Sequence, residues 1–261
     1  MTAHYDSPEA WSAGADPAYE ALGRAVVRQA PRPFDGGLVV DLGAGTGATG
    51  RAIAEARGRP LAVDLSHAML RHRRVERPPA VVADIARLPL PRGVAAACVA
   101  AFSLSHVEDP AAVLAEMRRV TAPGGSVLVG LFASSGVRHE AATVVEEAAV
   151  RRGFVVPDWY VRLKTELEPR SSSVDTLRSC SERAGLVETS IVDVEVDAGL
   201  DTASALVDWR LAGPAMASFV AGLGPVEAGR LRAEAIRSLG EEVAPLRPAV
   251  RVLASTAPAS R

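Results

Sequence analysis

The chain has 261 residues, with 29 Lys and Arg against 31 Asp and Glu, a net charge of −2. That length supports one α/β unit with a sizeable core, and the near-neutral balance offers no basic field for nucleic acid. No apolar stretch is long enough to span a bilayer and no signal-peptide pattern opens the chain, so a cytoplasmic protein is expected. Lys164 is the only lysine among many arginines and alanines, a bias that points to a GC-rich bacterial genome. Cys98 and Cys180 have no metal-ligand spacing and read as buried small hydrophobes, and no metal site is expected.

In chain order, the spacing predicts a helix over 17–29, a breaker-rich joint at 31–37 and a strand over 38–41. VVDLGAGTG (39–47) is a β-branched run that ends in an acid and then in alternating glycines. Gly43, Gly45 and Gly47 let the backbone turn sharply and let a ligand approach without meeting a Cβ. A helix over 46–57 follows, with Gly58 as its left-handed cap. LAVD is a strand over 61–64, then comes a helix over 66–75, and VVAD ends a strand over 80–83. The basic run RHRRVER (71–77) reads as a solvated helix end. A strand over 94–102 leads to Asp109-Pro110, an N-cap and first-turn proline for a helix over 110–120. Pro123-Gly124-Gly125 then turns the chain into a strand over 126–132.

Beyond Phe132, residues 138–169 insert a helix and an irregular stretch, GFVVPDWYVRLKTELEP, followed by a capped helix from near Ser172 to Gly185. Strands are expected over 187–197 and 249–255, separated by helical pattern; within it, 206–223 suits a lid or a plain packing helix. Alternating strands and helices argue for an α/β, doubly wound, mostly parallel sheet. The expected organisation is one domain: 1–36 a helical lid, 37–132 the core, and 133–171 and 198–247 helical insertions capping the substrate site.

The strand ends carry the functional argument. Asp64 stands where a carboxylate accepts hydrogen bonds from both ribose hydroxyls of a nucleoside, as in dinucleotide-binding enzymes, and Gly45, Gly47 and Gly50 also fit their glycine spacing. Asp41 directly before the glycines and Asp84-Ile85 after a third strand are not usual in that group. With these residues the chain resembles the class I S-adenosylmethionine-dependent methyltransferases, and more narrowly the small-molecule group that includes the ubiquinone and menaquinone C-methyltransferases. The resemblance rests on VVDLGAGTG, LAVDLSHAML, VVADIARLPLP, AAFSLSHVEDP and an E-x-x-R-V-x-x-P-G-G string from Glu116 to Gly125.

It implies a Rossmann-like seven-stranded sheet with the final strand antiparallel, and S-adenosyl-L-methionine as cofactor. Asp41, Gly43, Ala44 and Gly45 would hold the methionyl moiety, and Asp64 the ribose. Leu65 and Met69 would flank the adenine, Asp84 and Ile85 would read its edge, and Ala101 and Phe102 would lie beneath the sulfonium. Asp64 or Ser66 could instead cap the following helix, and Asp84 could serve a turn. Tyr5, Trp11 and Tyr19 resemble a lid over the cofactor, and would look the same as aromatics packed on the first helix.

His106, in SLSHVEDP, titrates near neutrality; it is either a base for a hydroxyl acceptor or a hydrogen bond that ties the loop down. His139 and Arg138 are weaker candidates. Arg138, Arg151, Arg152, Arg162 and Arg170 in the insertion are either anchors for a carboxylate or diphosphate or solvated surface. The expected partner is a small, largely apolar methyl acceptor from secondary metabolism or from lipid or quinone modification. Oligomeric state is not legible. Two alternatives keep the same motifs: a methyltransferase fold that catalyses a cyclisation or rearrangement, and a binding protein with a vestigial site.

Overall fold

The apolar runs pair as one seven-stranded sheet in a computed structural model that describes residues 5, 7–72, 74–133 and 139–259. Its strands are β1 (Leu38–Leu42), β2 (Arg59–Asp64), β3 (Ala80–Val82), β4 (Ala95–Ala101), β5 (Thr121–Phe132), β6 (Val187–Glu195) and β7 (Ala249–Thr256). The order is β3-β2-β1-β4-β5-β7-β6. Strands β1 to β5 are parallel, and β7 runs antiparallel to both β5 and β6. This is the expected doubly wound sheet. Order reverses between β1 and β4, and a crevice opens beyond the carboxyl ends of strands at such a switch point.

Helices α1 (Pro8–Gly14), α2 (Asp16–Val27), α3 (Ala48–Glu55), α4 (His67–Arg71) and α5 (Pro110–Val120) belong to the first half of the chain. The second half adds α6 (Glu140–Val150), α7 (Asp158–Arg162), a π-helical turn (Leu163–Leu167), α8 (Glu168–Ser172), α9 (Val174–Arg183), α10 (Ala203–Leu211) and α11 (Pro214–Leu239). Successive strand residues face opposite ways. Val40, Leu42, Cys98 and Val127 therefore pack on Leu114 and Met117 of α5 and Leu177 of α9. Val39, Val99, Leu128 and Val252 pack on Leu22 and Val26 of α2 and Ile53 of α3. A separate apolar cluster joins α6, α10 and α11 through Val145, Ala149, Val207, Met216 and Leu231.

Asp109 caps α5 as expected, accepting from Ala111 N and Ala112 N at 3.0 and 3.3 Å. Ser173 caps α9, one residue beyond the expected Ser172. Cys98 and Cys180 are buried thiols, and burial pushes Cys98 up to about 12.

Four local expectations are corrected. The left-handed residue after α3 is Arg57 (φ 63°), not Gly58; Gly58 is needed because a Cβ there would fall 2.7 Å from Ile53 and 2.9 Å from Phe34 and Val39. The helix expected over 66–75 stops at Arg71, where His72 turns extended (ψ 130°). The stretch 153–169 is helical from Asp158 on, since Pro157 precedes a first turn and Pro169 sits in one, both positions that need no backbone N–H. Pro123-Gly124-Gly125 lies within β5 rather than before it, absorbed by a register shift against β4.

Candidate functional site

The loop after β1 is locked to the loop after β4. Ser103 Oγ donates to the Leu42 carbonyl at 2.7 Å, and a Cβ on Gly43 (φ 72°) would lie 2.4 Å from the Ser103 Cβ. Asp64, at the end of β2, joins the next pair of loops, its Oδ2 accepting from Gly45 N and its Oδ1 from Ser66 N, both at 2.8 Å. Ser66, and not Asp64, caps α4, accepting from Met69 N at 3.2 Å. Thr46 donates to the buried Asp16 of α2, which also pairs with Arg51 of α3 at 3.2 Å. Helix α2 is thereby tied to the glycine loop.

These loops wall a cavity of about 540 Å³ at the switch point. Every cofactor residue read from the sequence lines it except Asp41, and so does His106. Asp41 shares the Val39 face of β1 and is buried behind the loop, with Oδ2 lacking a hydrogen-bond partner. Burial, and then the charge of Asp64, push its carboxyl up to about 7 against the pull of Arg77, the backbone N–H of Gly50 and Arg51. Asp84 makes a local turn, accepting from Ala86 N at 2.8 Å, and still faces the cavity.

Aromatic rings form the rest of the wall. Tyr5 meets Trp11, Trp11 meets Tyr19, and Tyr19 meets Phe102, with centroids 5.7, 5.0 and 5.5 Å apart. Phe102 holds a left-handed backbone (φ 63°), an uncommon state for a bulky residue that clusters at functional sites. The Tyr5 hydroxyl lies 3.1 Å from His106 Nε2, and Ser66 Oγ donates to the Tyr5 carbonyl at 3.2 Å. Burial, reinforced by Lys164, pushes His106 down to about 4, so the ring is neutral at physiological pH.

Of the two insertions only the first reaches the cavity, through Trp159, Arg162, Leu163 and Leu167. The apolar three among these recur every fourth residue, a helical signal that was present in the sequence and obscured by the flanking prolines. Described residues of 198–247 pack around α6 instead. The insertion's arginines are ion-paired: Arg162 with Glu108 at 2.5 Å, Arg170 with Glu166 at 3.9 Å, and Arg151 and Arg152 with Glu234 at 2.8 and 2.7 Å. Arg138 lies outside the described residues. His139 caps α6 and reaches the Ala244 carbonyl at 2.9 Å, away from the cavity. Among the described residues there is no cluster of three or more His, Cys, Asp or Glu that could hold a metal, and no helix long and apolar enough to cross a membrane.

Sheet order, the reversed last strand and the acid-glycine loop define the Rossmann-like fold of the class I methyltransferases. Residues 40–129 match the family model described as a methyltransferase domain. No curated protein matches the chain in sequence. Among solved structures, the putative methyltransferase bound to the Trm112 activator of Haloferax volcanii is 17% identical with a TM-score of 0.56, over 97% of this chain and 98% of that one. The cyclase SpnF is 18% identical with a TM-score of 0.54, over 92% of this chain and 81% of that one. Phosphoethanolamine N-methyltransferase 2 of Haemonchus contortus, solved with phosphomonomethylethanolamine and S-adenosylhomocysteine, is 15% identical with a TM-score of 0.53. That match covers 90% of this chain, which spans 52% of the other protein's length. At these identities the likeness establishes the fold.

Proposed function

We propose that the protein is an S-adenosylmethionine-dependent methyltransferase acting on a small, largely apolar acceptor of the kind met in secondary metabolism or in lipid or quinone modification. The observation that carries the reading is Asp64, held by two backbone N–H groups between the glycine loop and α4 at the rim of the cavity. A carboxylate has about four lone-pair directions, so two remain for the ribose hydroxyls. Gly43, Ala44 and Gly45 would present backbone to the methionyl moiety, with the buried Asp41 carboxyl behind them. Leu65, Met69, Asp84 and Ile85 would enclose the adenine, and Ala101 and Phe102 the sulfonium. When bound, the cofactor supplies an activated methyl group, and the work left to the protein is to orient the acceptor and exclude water.

The acceptor would rest on Trp11, Tyr19, Phe102, Trp159, Leu163 and Leu167. Arg162 is already neutralised by Glu108, which favours an acceptor without a carboxylate or diphosphate, since a buried charge needs its own partner. His106 acts in this reading as a tie for Tyr5 and not as a base: a ring pushed down to about 4 is a poor proton acceptor. His106→Ala is expected to keep the catalytic rate within about threefold while weakening cofactor affinity by a similar factor, through loss of one hydrogen bond. Abolished turnover at unchanged affinity would restore the role of base.

The test of function is calorimetry with S-adenosylhomocysteine, with NAD as competitor. Binding of the former alone supports the reading, whereas NAD binding, or binding of neither, removes it. A second reading, cyclisation or rearrangement on the same fold, is favoured by the likeness to SpnF together with the apolar wall. Product mass decides between them, because only transfer adds a methyl group.

A further inference from the structure

Within the run RHRRVER, Arg71 and Arg74 are exposed but Arg77 is not. Its side chain turns back behind the glycine loop, where Nη1 donates to the carbonyls of Gly45, Met69 and Leu70 at 3.3, 3.0 and 2.9 Å. Gly45 and Met69 both line the cavity, one from the glycine loop and one from α4, so one nitrogen joins the two elements. The other two nitrogens, Nε and Nη2, are buried without hydrogen-bond partners. Asp41 Oδ2 is likewise buried and unpartnered. Both lie on the same side of α3: a Cβ on Gly50 would stand 3.5 Å from that oxygen and 3.8 Å from Pro78, the neighbour of Arg77. Incompletely paired charges in a water-poor interior act on one another more strongly than surface charges do.

We propose that Arg77 is a positioning residue of the cofactor cleft, tying the glycine loop to α4 through three carbonyls and supplying the positive charge that balances Asp41 behind the loop. The inference rests on the reading that this cleft binds S-adenosylmethionine. The groups facing Asp41 are Asp64, which opposes its ionisation, and Arg77 and Arg51, which favour it; Arg77 in turn is faced by Asp41, Asp64, Asp16 and Arg51. Burial and the charge of Asp64 push the Asp41 carboxyl up to about 7, and on the proposed reading an ionised Asp41 would favour the α-ammonium of a ligand seated on Gly43, Ala44 and Gly45. Affinity therefore falls as pH drops through that value. Without the arginine charge the carboxyl rises further, and the same fall occurs at higher pH.

The test is calorimetry of the full chain with S-adenosylhomocysteine between about pH 6 and pH 9, on the wild type, Arg77→Met, Arg77→Lys and the control Arg119→Met. Arg119 also donates to two carbonyls, of Leu88 and Leu90, and does not line the cavity. Arg77→Met is expected to bind about tenfold more weakly or worse near neutral pH, with the midpoint of the pH profile moved upward. Arg77→Lys, which keeps a charge and three donors, is expected to recover most of the affinity and the original midpoint. Arg119→Met is expected to lower the melting temperature alone. Affinity of Arg77→Met within twofold of wild type, or a loss that is equal at every pH and not rescued by lysine, overturns the proposal. If Arg77→Met does not fold, the lysine variant decides by its midpoint: unchanged supports, moved overturns. Failure of the wild type to bind the probe would instead remove the reading of the cleft.

Discussion

Replacing Asp64 by alanine is expected to weaken S-adenosylhomocysteine binding by about a hundredfold while the protein stays folded. In the structure its carboxylate does two jobs at once. It accepts the N–H groups of Gly45 and Ser66, both at 2.8 Å, and on the proposed reading its remaining lone pairs accept the ribose hydroxyls. Alanine removes the ribose acceptors and also releases both amides, so the two loops lose the group that sets their separation. Leaving a buried donor unsatisfied costs about 1–3 kcal/mol, and part of that cost falls on the bound geometry. Circular dichroism separates unfolding from loss of binding, and calorimetry reads the affinity; an unchanged value would place the ribose elsewhere.

Gly43→Ala is expected to be more damaging still, because it disrupts the loop as well as the site. Its φ of 72° disfavours any side chain, and the added Cβ would lie 2.4 Å from the Ser103 Cβ and 3.0 Å from its Oγ. Ser103 cannot withdraw without giving up its bond to the Leu42 carbonyl. The loops after β1 and β4 must part, at a cost of about 3 kcal/mol or more in stability, and cofactor binding should fall below detection. Adding Ser103→Gly removes the steric conflict and leaves the backbone strain, so the double variant should regain part of the melting temperature. Full recovery would show that φ at this position does not matter.

Strands β1 to β5 were legible because parallel strands are largely apolar runs, β6 because its residues alternate, and all seven stand beside glycine or proline punctuation. The part of the cavity wall built from Gly43 to Gly45, Asp64, Leu65, Asp84, Ile85 and Phe102 was legible because those residues stand at or just after strand ends. Asp41 shows where this reasoning stops. An acid at a strand end can face either way, and the alternation that puts Val39 among α2 and α3 carries Asp41 to the same side, behind the loop. The cap arginines show a second limit: Arg162 finds Glu108 across 54 residues and Arg151 finds Glu234 across 83, distances at which local sequence gives no hint of pairing. Pro157 and Pro169 belong to the stretch read as irregular, yet they stand at the starts of helices. Arg77 was hidden in a run that is otherwise exposed, and its inward turn follows from the early stop of α4 at Arg71, whose free carbonyls need a donor.

The placement of β7 between β5 and β6 also orders events in time. On the ribosome, the five parallel strands emerge first, and the glycine loop can take shape while the rest of the chain is unmade. Strand β6 then emerges with its partner β7 not yet synthesised, and the outer edge of β5 stays open as well. Until residues 249–256 arrive, the nascent protein therefore leaves open the two edges that β7 later covers, one on β5 and one on β6, the interval in which edge-to-edge association with a neighbouring chain is most favoured. One late strand closes both.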